Sequence, residues 1–121
     1  MVPTSPEFDD IKDMIDPDTP TAFKVHGYRM PDVNGASDNI ERTLCPHVLG
    51  WKRNGIPNMT IANERVLCWQ LSPGTPWWRC FEPRRFVQIE EVANPVWTTD
   101  PTYSRHQSSV QNDQYHMPYP D

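Results

Sequence analysis

Residues 65–82 of this chain read RVLCWQLSPGTPWWRCFE and carry its strongest secondary-structure signal. Its centre, residues 72–76, combines proline and glycine in a way that favours a tight turn. The residues before the turn alternate between two faces and an aromatic run follows it, so we predict a β-hairpin rather than the helix that Thr60 could begin. Folding the hairpin about Gly74 predicts this register: Leu71 opposite Trp77, Gln70 opposite Trp78, Trp69 opposite Arg79 and Cys68 opposite Cys80.

A short helix is predicted near the amino terminus. Ser5 is a favourable N-cap, Pro6 suits the first helical position, and acidic residues in the first turn complement the helix dipole. Phe8, Ile11 and Ile15 recur at helical spacing and form a narrow apolar stripe. A helix of about ten residues is marginal alone, so this stripe needs a surface on which to dock.

The remaining segments predict shorter and less regular elements. Residues 20–37 hold enough apolar side chains for a short strand or a turn of helix, and residues 39–44 resemble a short capped helix that Pro46 ends. Residues 84–92 fit either a third strand or a helical turn. From Pro95 onward the apolar residues thin out, which predicts an extended arm with isolated anchors.

Together these elements predict a small, irregular α+β protein with a Trp-rich hairpin core. We divide the chain into an acidic N-terminal segment with a short helix (1–20), an aromatic-rich core (21–93) and an extended, proline-punctuated C-terminal arm (94–121). The net charge of −5 is unevenly spread: six acids oppose one lysine in 1–20, nine Lys/Arg oppose five acids in 21–89, and five acids oppose one arginine in 90–121. The flanks could therefore fold back on the middle, or the middle could meet an anionic partner.

Three cysteines and one histidine follow the pattern C-x-H-x20-C-x11-C, formed by Cys45, His47, Cys68 and Cys80. Three Cys and one His are a legitimate tetrahedral zinc set, although no C-x2-C knuckle is present. The predicted register places Cys68 opposite Cys80, which also suits a disulfide and leaves Cys45 unpaired. The third interpretation is three reduced, buried thiols. No cofactor other than zinc is predicted.

No catalytic motif is recognisable in the sequence. Nucleotide-binding glycine loops, the G-x-S-x-G elbow and the H-E-x-x-H pair are all missing. Cys45 and His47 are too close in sequence to imply a facing nucleophile and base, and Glu90 and Glu91 would point to opposite faces of a strand. We therefore expect a protein that is not an enzyme.

The strongest remaining signal interleaves aromatic rings with cations, in Trp51-Lys52-Arg53, Trp77-Trp78-Arg79 and Arg84-Arg85-Phe86. Trp and Arg are enriched at interaction hot spots. We therefore predict an accessory subunit that docks on several chains of a large assembly, such as an organellar membrane complex, a ribosome-like particle or a virus shell. The predicted interface residues are Phe8, Ile11, Ile15, Trp51, Trp77, Trp78, Arg79, Arg84, Arg85, Trp97, Tyr103, Tyr115 and Tyr119.

Two other kinds of partner fit the same signal. Rings and cations can bind nucleic acid, so the alternative function is a small nucleic-acid-binding module, with zinc as a stabiliser; the acidic flanks and a pI of 5.2 disfavour it. The same residues could meet anionic lipid headgroups as a peripheral contact, since no stretch approaches the ~18 apolar residues of a membrane span. The N-terminus resembles neither a secretory signal nor a transit peptide, which predicts an intracellular location, with a mitochondrial complex as one candidate.

Overall fold

A computed structural model describes the chain over residues 2–30, 36–52, 59–93, 97–103, 110 and 112–118. Arg53 of the predicted Trp51-Lys52-Arg53 run and the interface candidate Tyr119 lie outside these residues. The helix and strands, in chain order, are α1 (Pro6–Lys12), β1 (Ala22–Val25), β2 (Gly27–Tyr28), β3 (Arg42–Trp51), β4 (Glu64–Ser72), β5 (Trp77–Phe81), β6 (Phe86–Val87), β7 (Glu90–Val92) and β8 (Asn112–His116).

Six of these strands form an antiparallel sheet centred on β3. Hydrogen-bonded neighbours follow the order β5-β4-β3-β1-β7. β8 pairs with the last residues of β3, on the edge of β3 opposite β4. β2 and β6 form a separate two-stranded ladder. One short helix with an antiparallel sheet and Trp-containing aromatic clusters is the α+β class that the sequence predicted, and this prediction is confirmed.

Helix α1 begins as predicted and covers one side of the sheet, which we call the helix face. The Ser5 side chain caps the helix by accepting a hydrogen bond from the Phe8 backbone N–H at 3.1 Å. The helix ends at Lys12, so Ile15 lies beyond it, yet Phe8, Ile11 and Ile15 are all buried in the core of the chain itself. The surface that the apolar stripe needs is therefore supplied by this chain's own sheet.

The predicted hairpin is present, and its register is shifted by one residue. β4 and β5 pair Trp69 with Trp78 and Gln70 with Trp77. The ladder with β5 runs from Gln70–Trp77 to Val66–Phe81, so Leu71 belongs to the turn on this side of β4. On the other side of β4, Leu71 is the extra residue of a β-bulge against β3. Gly74 takes a φ of 78° in the turn, a conformation that suits glycine. Because side chains alternate along a strand, the shift changes which residues share a face.

The helix predicted at 39–44 is wrong, because the long central strand β3 begins at Arg42. Asp38 does not cap a helix; it accepts hydrogen bonds from the backbone N–H groups of Tyr28 and Ile40 and pairs with Arg42 at 2.8 Å. Pro46 does not end an element but lies inside β3. The proline is tolerated there because a bulge separates its pair with β4 from the next one.

The C-terminal segment is more regular and better packed than the predicted arm with isolated anchors. Trp97 and Tyr103 lie over the side of the sheet opposite α1, which we call the arm face, and β8 adds a strand to β3. Tyr103 donates its hydroxyl hydrogen to the Met117 carbonyl at 2.8 Å, joining the two parts of the segment. The described parts of both flanks fold back on the middle. Within the described residues, no helix is long and apolar enough to cross a bilayer.

Candidate functional site

The Cys45-Pro46-His47 motif forms the bulge of β3, and the C-terminal segment is hydrogen-bonded along it. β3 pairs Pro46 with Cys68 and then Val48 with Leu67, so His47 is the extra residue. β1 pairs with β3 only up to Leu44 and β8 only from Val48, and just beyond β8 the Met117 N–H donates to the His47 carbonyl at 2.7 Å. Residues 97–99 add further contacts to the motif: Trp97 Nε1 to the Pro46 carbonyl at 3.3 Å, Thr98 N–H to Cys45 Sγ at 3.5 Å, and Thr99 Oγ1 to His47 Nε2 at 2.7 Å.

His47 is fully buried inside a cage of aromatic rings on the arm face. Its imidazole stacks on Trp97 at 4.7 Å between centroids and meets Trp78 and Tyr103 edge-on at 4.8 Å each. Nδ1 lies 2.8 Å from the Cys45 carbonyl, which can only accept, so Nδ1 carries the proton and Nε2 accepts from the Thr99 hydroxyl. Burial lowers the pKa of His47 to about 4, so the ring is neutral near pH 7.

Cys45 and His47 are held in their uncharged forms, and their geometry does not join them as a reactive pair. Burial raises the pKa of the Cys45 thiol, which disfavours the nucleophilic thiolate. The imidazole contacts the carbonyl of Cys45 and not its sulfur. Both ring nitrogens of His47 already have protein partners. The chemistry available to this pair is therefore packing and hydrogen bonding.

The predicted disulfide is wrong, because the register shift separates Cys68 from Cys80. Cys68 pairs with Arg79 and Cys80 pairs with Leu67, so the two thiols point to opposite faces of the sheet. Cys45 and Cys68 are buried, Cys80 is exposed, and all three are reduced. The zinc set of Cys45, His47, Cys68 and Cys80 is not assembled either: among the described residues, no three His, Cys, Asp or Glu side chains come together as metal ligands.

On the helix face, Glu64 is the counterpart of His47. It is fully buried, and its carboxylate accepts hydrogen bonds from the Ser5 backbone N–H at 2.9 Å and the Ser5 hydroxyl at 2.6 Å. Burial raises the pKa of Glu64; the Ser5 hydrogen bonds oppose this rise, and the negative charges of Asp9 and Glu7 add to it. Ser5 thus caps α1 and holds the N-terminal segment on β4 at the same time.

Most of the predicted cationic surface is used within the chain. Glu82 accepts a 2.6 Å ion pair from Arg85, and Arg65 and Arg84 lie at 3.5 and 3.4 Å from the same carboxylate. Burial raises the pKa of Glu82, but the hydrogen bond from Arg85 and the three guanidinium charges outweigh it and leave that pKa lowered. Arg84 and Arg85 are therefore partly buried parts of an ion-pair network.

Several predicted interface aromatics are also internal. Trp51 is 3% exposed and stacks on Phe8 at 5.1 Å, while Tyr115 meets the Phe8 ring edge-on. Tyr103 is buried and Trp97 is half-buried over His47. In this fold Trp51 and Tyr103 are not available to a partner, because they close the chain's own core, and Trp97 and Tyr115 are partly covered by that core.

Among the described residues, the predicted interface residues with exposed side chains, Trp77 and Arg79, lie on β5, the last strand of the described sheet. Trp77 is 64% exposed, Arg79 is exposed, and Trp78 is half-buried with its Nε1 donating to Thr102 Oγ1 at 2.7 Å. Beside the strand runs a groove of about 320 Å³, lined by Leu67, Trp77, Trp78, Arg79 and Cys80. Exposed tryptophan next to arginine is the composition of an interaction surface. This set, Trp77, Trp78, Arg79 and Cys80, is the β5 edge site.

Sequence reasoning missed Glu64, Ser5 as its partner, and Thr99. Ser5 was recognised only as a helix cap, and its second hydrogen bond spans 59 residues of sequence. Glu64 carried a local signal, since it is an acid directly before the apolar run of β4, a position that can be buried. The chain matches no known family model, and neither a characterised protein nor a solved structure is significantly similar to it.

Proposed function

We propose that this chain is a non-catalytic structural subunit that docks on a larger multi-protein assembly through the β5 edge site. The observation that carries the proposal is the 64% exposure of Trp77 on a strand that ends the sheet. Covering a large aromatic side chain contributes about 1.5–3 kcal/mol, so an exposed tryptophan is a strong source of binding energy for a partner.

The other potential functional groups support a structural role. His47 and Cys45 are buried, neutral and hydrogen-bonded to the C-terminal segment, where they hold the fold together. Glu64 is equally occupied with Ser5. A catalytic acid, base or nucleophile needs access to substrate, and these three groups have none in this fold.

A protein partner is favoured over nucleic acid by the way the rings and cations are used. Trp51 is buried against Phe8, and Arg65, Arg84 and Arg85 share one carboxylate. These groups offer neither a stacking platform nor unpaired charge for phosphates. The β5 edge site keeps two exposed residue types, Trp and Arg, that dominate protein–protein hot spots.

The experiment places a photo-crosslinking amino acid at position 77 or 79 of the full chain, expressed in the cells that make it. We expect crosslinks from these positions to the same one or few protein chains. Met30 is the matched control position, since it is an apolar side chain with 48% exposure that belongs neither to β5 nor to the lining of its groove. Position 30 is expected to give no such products.

Sedimentation of the same extracts gives the second readout. We expect the wild-type chain to sediment far above its 14.1 kDa mass, Trp77→Ser to shift it towards that mass, and Met30→Ser to leave it unchanged. A wild-type chain that sediments at its own mass, with no crosslinks from position 77 or 79, would overturn the proposal.

A further inference from the structure

We propose that the β5 edge site binds an extended segment of the partner as an added β-strand, with a carboxylate opposite Arg79 and apolar residues on either side of that acid. This inference rests on the proposed function and specifies the partner's chemistry. β5 pairs with β4 alone in the described sheet. An edge strand presents roughly every second backbone N–H and C=O outward, ready to pair with another extended chain.

The opposite end of the sheet shows how a closed edge looks. β7 has three residues, and two of them, Glu90 and Glu91, are exposed acids. Short length and charge both discourage strand addition. β5 has five residues with a single charge among them, at Arg79, and includes the most exposed large apolar side chain of the described residues, Trp77. Strand addition is therefore expected at β5 and not at β7.

A second copy of the chain does not suit this edge. If two β5 strands paired antiparallel over their full length, Arg79, the central residue, would lie opposite Arg79 of the other copy. Like charges directly opposite each other destabilise a strand pair. A shifted register avoids the clash only by shortening an already short ladder.

Arg79 instead favours a partner strand with an acidic residue. Among the described arginines, Arg79 is the one for which neither an ion pair nor a hydrogen bond is seen in the described part of the chain. Each of the others has a partner: Arg29 with the Arg84 carbonyl, Arg42 with Asp38, and Arg65, Arg84 and Arg85 with Glu82. An opposite-charge cross-strand pair stabilises two paired strands, so a carboxylate at this position adds both affinity and register.

The groove beside β5 defines the neighbours of that acid. Leu67, Trp78 and Cys80 share the arm face, whereas Arg79 points to the helix face. On an added strand, the residues before and after the acid must point to the arm face, because side chains alternate. The 320 Å³ groove lined by Leu67, Trp78 and Cys80 is open to apolar side chains at these positions.

The test uses a blocked heptapeptide, Thr-Thr-Val-Glu-Val-Thr-Thr, titrated into the full chain while backbone amide shifts are recorded. We expect shifts over residues 77–81 and none over 90–92. Replacing the peptide's Glu by Lys should weaken binding about tenfold. Arg79→Glu should reverse this preference, so that the Lys peptide binds more tightly. Because Arg79 is exposed, the variant keeps the fold, which the unshifted remaining amides verify.

Backbone pairing is tested separately with two peptides that are N-methylated at alternate residues in the two phases. Only one phase removes the N–H groups that face β5, so one peptide should lose binding and the other should keep it. Equal binding of the Glu and Lys peptides, or equal binding in both methylation phases, would overturn strand addition. If that happens while Trp77→Ser still releases the chain from its assembly, the proposed function stands; a wild-type chain that sediments alone yet binds the Glu peptide would overturn the function and leave the strand site intact.

Discussion

The two faces of the sheet are closed in the same way by opposite ends of the chain. On the helix face, the N-terminal segment reaches buried Glu64 through Ser5; on the arm face, the C-terminal segment reaches buried His47 through Thr99. Both ionisable groups are fully buried and both are shifted towards their neutral forms. An acid and a base thus serve the same structural purpose, which is to give each flank a polar contact inside the core.

The difference between the faces lies in the sign of their response to pH. His47 has a lowered pKa, so its contribution to stability is complete above its usual value of 6.5 and is lost as the pH falls towards about 4. Glu64 has a raised pKa, so its contribution is complete below its usual value of 4.5 and is lost as the pH rises through the folded pKa. The His47 contribution is therefore lost as the pH falls below 6.5, whereas the Glu64 contribution is lost as the pH rises above 4.5.

The largest expected effect is the acid response of the arm face. A shift from 6.5 to about 4 corresponds to about 3 kcal/mol, so His47 should remove this much from the free energy of unfolding between pH 6.5 and pH 4. His47→Phe keeps a ring between Trp97, Trp78 and Tyr103 but cannot titrate. Urea unfolding followed by tryptophan fluorescence should show a shallower acid loss for this variant than for the wild type.

The control for this measurement is the set of carboxylates whose pKa values are lowered in the fold. Asp38 and Glu82 lose stabilising ion pairs in acid, in the wild type and in His47→Phe alike. Only the difference between the two pH profiles reports His47. Parallel profiles for the two proteins would show that burial among the aromatic rings does not lower the pKa of His47.

What the sequence could predict follows from the range of the interactions involved. The capped start of α1, the strand at 64–72 and the hairpin turn depend on neighbours in sequence, and all three were predictable. The hairpin register was not predictable, because residues 71–76 all lie between the last pair, Gln70 and Trp77, whereas the turn signal covers only residues 72–76. β3 depended on pairing with β1, β4 and β8, so local signals at 39–44 predicted a helix instead.

The candidate site divides in the same manner. The exposed Trp77-Trp78-Arg79 run was visible in the sequence because it is contiguous. The Cys45-Pro46-His47 motif is contiguous too, but the His47 partner Thr99 is 52 residues away, so local reasoning offered zinc, a disulfide or buried thiols and no hydrogen-bond partner for the imidazole. A one-residue change in register was enough to remove the disulfide.

The second prediction compares the Ser5 hydroxyl, which donates to Glu64, with the Thr99 hydroxyl, which donates to His47. Ser5→Ala removes the N-cap of α1 and one hydrogen bond to buried Glu64, for which we expect a loss of about 2 kcal/mol. Thr99→Val removes one neutral hydrogen bond from an exposed residue, and we expect about 1 kcal/mol. Chemical denaturation at pH 7 measures both. If Thr99→Val lowered the free energy of unfolding as much as Ser5→Ala, the N-terminal segment would not be held more strongly than the C-terminal segment.

The smallest expected effect is the pH response of Glu64, because the Ser5 hydrogen bonds favour the ionised form and offset part of the burial that disfavours it. Glu64→Gln removes the titration and keeps one carbonyl oxygen that can accept from Ser5. Its profile should lack the small loss that the wild type shows as the pH rises above 4.5, so the variant's relative stability should improve from pH 4 to pH 7.

Combining Glu64→Gln with His47→Phe should flatten both contributions, since the two groups lie on opposite faces and their effects should add. If the stability of Glu64→Gln relative to the wild type instead fell with rising pH, the two Ser5 hydrogen bonds would outweigh burial. The contributions of Glu64 and His47 would then both be lost in acid.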